Sequence, residues 1–538
     1  MKNKIVTILI LIYIALMISV IQWGIPNQNH PFNYQMDEWH QMQSIRALFT
    51  QGSPNVPGAA HGTIFQFFLS GVYLSLFTMF GVINPFVLKS PVTEIATQEK
   101  LFILLRFNTL LFGILSLLFL GIVARKHFKV HPALPLTLFF ITPIWLSLGN
   151  YYKYDIAVIF WIIISLFFLL RFGAYPNKKN YLLAGVFCGL AVATKISALP
   201  LLIIYIIAFF YFTQKKQKNY SHFFVGIFLF FCVFLILGIP DVLLQKGDYR
   251  EFFYSNIILD PKQTDNFVLD YKPWWLYILL KIMPLDFGYP FFVIYATALF
   301  YWIKLLLLRR FKENYILYKN EIFILISFLI FLSSLFPLKI GANGNRLLVL
   351  LPFLSLISSF FLTMIWKRLA PYSKKAFIVF LAATIVFQAY QSFMHIYVKW
   401  DKDVRQVSSV WLDKNLSTGE KIGIENIPLY QLLPDIVVKE FYSKQYFPKT
   451  HTKFDYVVIN QSSHSLPNIV IVTDREFNVD YQINSPKKLL VSRLRKKNYK
   501  IMAEFRPPKV LYNIFGNELN MHISGIVTIP TITVYKKT

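Results

Sequence analysis

Two adjacent carboxylates, Asp37 and Glu38, follow the first hydrophobic segment within the stretch Asn33-Tyr34-Gln35-Met36-Asp37-Glu38-Trp39-His40. The apolar runs elsewhere hold almost no acid, so this pair sits at the rim of a bilayer, where an ionised side chain is costly unless it has a partner or a task. A carboxylate there can take a proton from an acceptor hydroxyl within hydrogen-bond reach. Asp37, the first acid after the first span, is the expected base, with Glu38 beside it. The plainer reading puts both acids in the first turn of a short surface helix, where the helix dipole favours them. Arg106, Lys195 and Arg346 each stand at the end of an apolar run. Such cations can hold a phosphate by its head while its lipid tail stays in the bilayer, arginine gripping with two hydrogen bonds and lysine as a point charge. Taken singly, each is as readily a snorkelling anchor. Asp155, after Asn150-Tyr-Tyr-Lys-Tyr, is read as orienting the acceptor or Lys153, or else as a helix cap. Tyr152 belongs to the same stretch and is read as supporting it, and His61, in a Gly/Pro-rich loop, is read as a contact to a phosphate or sugar, or else as incidental. Neighbouring side chains on a helix point apart, and no His/Asp cluster of ligand spacing accompanies the pair. No cofactor and no divalent metal are expected.

The elements that must position these residues are set by composition. Of 538 residues 56% are hydrophobic and 15% charged, with a mean hydropathy of +0.50, which is the composition of a polytopic membrane protein. The net charge of +27 does not imply nucleic acid, because the basic residues fall in short clusters between apolar runs rather than along one stripe. The two cysteines, Cys188 and Cys232, lie inside apolar runs and imply no disulfide framework.

The pattern predicts about eleven spans, near 4–23, 102–124, 134–150, 155–171, 181–194, 197–212, 222–240, 287–308, 321–338, 347–366 and 376–396. The uncharged run 63–83 is expected to lie in the outer leaflet without crossing. The cytoplasmic segments then hold 20 Lys and Arg against 2 acids, whereas the outer segments before residue 398 hold 13 against 12. That is a positive-inside partition with the N-terminus in the cytoplasm of a cell-membrane protein. Residues 1–397 form the membrane part, with a first outer loop at 24–101 and a large outer loop at 241–286 long enough to act as a lid. From about 398 the apolar runs shorten to strand length, at 421–425, 455–460, 468–473 and 531–535, with a helical pattern over 404–416. Residues 398–538 are therefore expected to form a small α/β domain outside the cytoplasm.

The ordered motifs resemble the glycosyltransferase C superfamily, in the branch of protein O-mannosyltransferases and bacterial lipid A aminoarabinose transferases. Carrying the resemblance are Asp37-Glu38, the run after His61, Leu105-Arg106-Phe107, Tyr152-Lys-Tyr-Asp155, the Gly185-x-x-x-Gly189 segment ending at Lys195, and Asn345-Arg346 followed by Leu350-Leu-Pro352. The resemblance implies transfer of a sugar from a polyprenyl-phosphate carrier to a protein, lipid or glycan acceptor at the outer face, with inversion and without an essential metal. It makes Asp37 the base and gives Arg106, Lys195 and Arg346 to the donor phosphate. The competing function is a transporter or flippase for a lipid-linked substrate. Transporters gather their polar groups near the midplane, often on internal repeats, and this sequence shows neither.

Overall fold

The computed structural model describes residues 2–52, 63–84, 95–213, 220–240, 274–307, 318–335, 344–400, 403–425, 432–442, 452–459, 463, 465–474, 486–506 and 530–538. His61, residues 241–273 of the large outer loop and the basic cluster at 215–218 lie outside these.

The chain begins with α1 (Lys2–Ser19), an apolar helix without proline or glycine. After a loop come α2 (Met36–Gln51) and α3 (Phe65–Met79), both within the expected first outer loop. The Gln35 side chain caps α2 by accepting from the Glu38 amide, and Gly52, at a φ of 75°, ends it with its amide on the Leu48 carbonyl. A left-handed residue is the ordinary helix stop, and glycine adopts it without strain. α3 packs on α2, with Gly71 pressed against Leu48. Its outward side presents Phe68, Val72, Leu76 and Met79, an apolar face suited to lipid.

The helices α4 (Ile95–His127), α5 (Ala133–Phe140), α6 (Pro143–Leu148), α7 (Tyr154–Ala174), α8 (Lys178–Thr194), α9 (Pro200–Phe212) and α10 (Tyr220–Val233) follow. α8 and α9 are separate helices broken at Lys195, as the sequence suggests. α8 packs on α7 and α10. A Cβ on Gly185 would come within 2.9 Å of the Gly226 carbonyl oxygen, and one on Gly189 within 2.8 Å of that of Phe230. The Gly-x-x-x-Gly motif thus lets α8 and α10 meet backbone to backbone, as small residues do in lipid. A helical segment over 274–287 leads into α11 (Tyr289–Leu307), then α12 (Lys319–Leu335), a short turn of helix at Gly344–Leu347, α13 (Leu351–Arg368) and α14 (Pro371–Trp400). Helix occupies the described part of most segments expected to span, but the expected span 134–150 is divided between α5 and α6. Among the described residues, six helices are long and apolar enough to cross a membrane by length and composition.

Beyond α14, a five-stranded sheet runs in the order β2-β1-β3-β5-β4, built from β1 (Lys421–Glu425), β2 (Asp455–Ile459), β3 (Ile469–Asp474), β4 (Tyr499–Phe505) and β5 (Thr531–Lys537). β1 pairs in parallel with β2 and β3, while β5 pairs antiparallel with β3 and β4. α15 (Val404–Asn415) packs on β4 and β5, burying Leu412, and α16 (Pro486–Lys496) packs on β4. The apolar residues of β1 and β3 are buried, Ile422 opposite Ile469 and Ile424 opposite Ile471.

Candidate functional site

The first turn of α2 sends its two acids in different directions, as about 100° of rotation per residue requires. Glu38 turns inward. Its carboxylate meets the Arg106 guanidinium side-on, with Nε to Oε1 at 2.8 Å and Nη2 to Oε2 at 2.7 Å, and both side chains are buried. The Tyr152 amide and Asn33 Nδ2 also donate to it, at 2.9 and 3.1 Å. Arg106 spends its remaining Nη1 on the carbonyls of Ile21 and Trp23, at 2.6 and 2.7 Å. A buried ion pair is tolerable only when its lone pairs and protons are used in this way. Glu38 and Arg106 thereby fasten together the end of α1, the start of α2, α4 and the turn before α7.

Asp37 faces the other way. Lys153 Nζ donates to its Oδ2 at 2.6 Å, and its side chain stays 46% exposed. Among the described residues Oδ1 accepts no hydrogen bond. Lys153 is buried and also lies 3.7 Å from Asp155 Oδ2, while Asp155 Oδ1 accepts from Lys195 Nζ at 2.5 Å. The chain Asp37, Lys153, Asp155, Lys195 thus joins α2, the turn before α7, the first turn of α7 and the break between α8 and α9. Arg346 acts electrostatically on Lys195 and on Tyr154, which places it in the same neighbourhood. The Lys195 ammonium also lies 4.9 Å from the centre of the Tyr154 ring.

The electrostatics follow from this alternation. Enclosure by protein opposes the charge on Asp37, but Lys153, with Lys195 and His40 adding, outweighs it and holds the carboxyl below its ordinary range. Burial likewise opposes the Lys153 charge, and Asp37 and Asp155 overcome it, so the ammonium is held above its usual value. For Lys195 the balance falls the other way. Burial, with repulsion from Lys153 and Arg346, draws its ammonium down despite Asp155. An anion set between Lys195 and Arg346 would relieve that repulsion.

The turn that supplies these partners is extended. Lys153, at φ −141° and ψ 143°, precedes α7, so successive side chains point to opposite sides. Tyr152 turns to Ser70 of α3, its hydroxyl 2.7 Å from the serine oxygen, while Lys153 turns to Asp37. The Tyr154 amide donates to Gln41, one turn along α2 from Glu38. α2 therefore reads the turn through the Glu38 and Gln41 acceptors and leaves Asp37 open. Asp155 lies in the first turn of α7, and Lys153 occupies the capping position.

Of the residues singled out in sequence, Asp37, Asp155 and Lys195 form one polar chain, Arg346 neighbours it, Glu38, Arg106 and Tyr152 form its backing, and His61 lies outside the described residues. Sequence reasoning gave less weight to Lys153, whose signal was its place between Tyr152 and Asp155. It also passed over Lys399 near the end of α14, buried against Asn150 Oδ1 at 2.6 Å and the Ser147 carbonyl at 3.3 Å. No spacing rule links residues so far apart. Among the described residues, no group of three or more His, Cys, Asp or Glu could hold a metal ion.

Residues 10–245 match the family model described as dolichyl-phosphate-mannose-protein mannosyltransferase. The resemblance read from the motifs is borne out over that stretch, which contains Asp37, Glu38, Arg106, Tyr152, Asp155 and Lys195; Arg346 lies beyond it. Solved structures similar to this chain include the oligosaccharyltransferase AglB of Archaeoglobus fulgidus in complex with an inhibitory peptide and a dolichol-phosphate, at 12% identity over 94% of this chain and 73% of that one, with a TM-score of 0.49. ArnT of Cupriavidus metallidurans bound to undecaprenyl phosphate is 13% identical over 98% of this chain and 97% of that one, with a TM-score of 0.45. The A. fulgidus oligosaccharyltransferase complex with Zn and sulfate is 16% identical over 79% of this chain, which spans 60% of that chain's length, with a TM-score of 0.47. No curated protein matches the chain.

Proposed function

We propose that this protein is an inverting glycosyltransferase that moves a sugar from a polyprenyl-phosphate donor to an acceptor hydroxyl at the outer face of the cell membrane. The observation that carries the reading is Asp37. One of its oxygens is tied to a buried ammonium, the other is open, and the side chain faces the accessible end of a polar chain that leads to Lys195. The acceptor hydroxyl gives its proton to the Asp37 carboxylate as its oxygen attacks the anomeric carbon. The bond from that carbon to the phosphate oxygen breaks on the opposite face, and the phosphate keeps the electron pair. Such a displacement needs a base on one side and fixed positive charge on the other. Lys153 keeps Asp37 ionised, while Lys195 and Arg346 are assigned to the departing phosphate. Arg106, assigned to that phosphate by the resemblance, has its guanidinium engaged by Glu38 and two carbonyls, so we give the Glu38 and Arg106 pair the role of holding α2 in place. Asp155 supports the acceptor side, Tyr152 belongs with Glu38 and Arg106 to the backing of the site, and no metal takes part.

In this reading about eleven helices cross the bilayer, the N-terminus is cytoplasmic, and the region of the sheet lies outside with the site. The donor's prenyl tail stays in lipid beside α3, and the acceptor is a protein, lipid or glycan. The test is incubation of the purified protein with polyprenyl-phosphate hexoses and pentoses and candidate acceptors. Mass spectrometry identifies the product, and the anomeric proton coupling gives its configuration. A product that keeps the donor's anomeric configuration, or translocation of intact donor without transfer, would overturn the reading.

A further inference from the structure

Residues at the end of α14 and at the start of α15 hold both stretches of chain that lead into the Asp37 and Lys153 pair. On one side, Lys399 holds the turn before Lys153 through Asn150 Oδ1 and the Ser147 carbonyl. On the other, the loop entering α2 is closed at its base by the Tyr34 amide on the Gly24 carbonyl at 2.9 Å. Gly24, at a φ of 65°, has no room for a side chain, since a Cβ there would lie 2.9 Å from that of Tyr34. The buried Tyr34 ring is covered by the Arg405 guanidinium, 4.0 Å from its centre, and its hydroxyl donates to Asp435 at 3.2 Å. Arg405 is fixed in turn by Asp403, which binds its guanidinium at 2.8 Å and its amide at 3.0 Å. Tyr34 stands one residue before Gln35, whose side chain caps the helix bearing Asp37.

We propose that Lys399, Asp403 and Arg405, with Asp435, form a brace that sets the register of Asp37 against Lys153, and that Tyr34, Arg405 and Asp435 are positioning residues for the reaction. Asp403, Arg405 and Asp435 belong to the part of the chain that carries the sheet, so that region acts on the chemistry by holding Tyr34 and the catalytic helix rather than by entering the site. The surrounding contacts are directional. A cation over an aromatic face, a phenol on a carboxyl and a carboxylate shared between a guanidinium and the backbone amide of the same residue each fix orientation as well as distance. Displacement of a base by about 1 Å can cost two orders of magnitude in rate, so a loosened brace reads out in turnover. The catalytic half of this inference rests on Asp37 being the base, and the mechanical half does not.

The test uses the full-length protein in nanodiscs with Tyr34→Phe, Asp435→Asn, their double variant and Arg405→Lys, which keeps the charge and loses the planar stack. Hydrogen exchange and steady-state kinetics are measured on the same samples. The brace predicts faster exchange at the Glu38 and Trp39 amides, an unchanged melting temperature, kcat lower by about tenfold, and donor KM within about twofold, with the double variant no worse than the poorer single one. Unchanged exchange at those amides in every variant, or unchanged kcat in folded variants, would overturn it. If Asp37→Asn keeps its activity while exchange at Glu38 still rises in Tyr34→Phe, the base assignment falls and the mechanical brace stands.

Discussion

Replacing Arg106 by methionine separates two roles that its position at a membrane boundary leaves undecided. The substitution leaves Glu38 buried with only the Tyr152 amide and Asn33 as donors, and leaves the Ile21 and Trp23 carbonyls without the guanidinium. Removing one member of a buried, hydrogen-bonded ion pair costs about 3–5 kcal/mol, because the remaining charge stays desolvated. Each carbonyl that loses a charged donor adds about 1.5–3 kcal/mol unless water replaces it. We predict that Arg106→Met lowers stability by at least about 4 kcal/mol, read as a fall in the thermal midpoint of the detergent-solubilised protein by intrinsic fluorescence. Adding Glu38→Leu removes the stranded carboxylate and should recover most of the ion-pair part but not the carbonyl part. The same samples are titrated with polyprenyl phosphate, and the folded fraction of the single variant should bind with nearly wild-type affinity. A variant that melts like the wild type yet loses phosphate affinity would refute the reasoning and return Arg106 to the donor site.

The other predictions concern the polar chain and the brace. Lys195→Met and Arg346→Met should each weaken polyprenyl phosphate binding by about 10–100-fold, the value of one charge-assisted hydrogen bond, measured by microscale thermophoresis; unchanged affinity in both would remove the phosphate assignment. Because Lys153 holds the Asp37 carboxyl below its ordinary range, the acidic limb of kcat/KM should lie below the range of an ordinary aspartate, and Lys153→Met should move that limb upward. Burial, with Asp403 adding, pushes the Asp435 carboxyl up to about 7. A carboxyl raised on folding favours the folded state most below its unfolded value, and that contribution is lost as pH rises through its folded value. Resistance of α15 and of the segment 432–440 to limited proteolysis should therefore decline between about pH 4 and 7, and Asp435→Asn should flatten the decline.

Much of this arrangement is written in local sequence, and its decisive contacts are not. The break at Lys195 is legible because Thr194-Lys195-Ile196 interrupts two apolar runs, and α8 and α9 meet there. Strands β1, β2, β3 and β5 and helix α15 fall where the short apolar runs put them. β4 was missed because Tyr499–Phe505 mixes Lys500 and Glu504 into an edge strand whose register shifts between Ile501 and Ala503, so its alternation is weak. α16 was missed because Pro486–Lys496 is rich in Lys and Arg and buries only a narrow side. At the site, spacing finds Asp37, Asp155 and Lys195 as charges near membrane boundaries but says nothing about partners. Glu38 and Arg106 are 68 residues apart, and Lys153 and Asp37 are 116 apart. Periodicity records which face a residue occupies on its own helix, and only packing between helices decides that Glu38 is buried against an arginine while Asp37 stays open.

In the proposed reaction Asp37 acts in transfer and not in holding the donor. Asp37→Asn keeps the shape and the Lys153 neighbour while removing the proton acceptor, so the most direct measurement pairs product formation by mass spectrometry with polyprenyl phosphate affinity on the same preparation. Transfer should fall by at least about a hundredfold, with affinity within about threefold of wild type. Transfer at the wild-type rate, or a parallel collapse of both quantities in a folded variant, would contradict it.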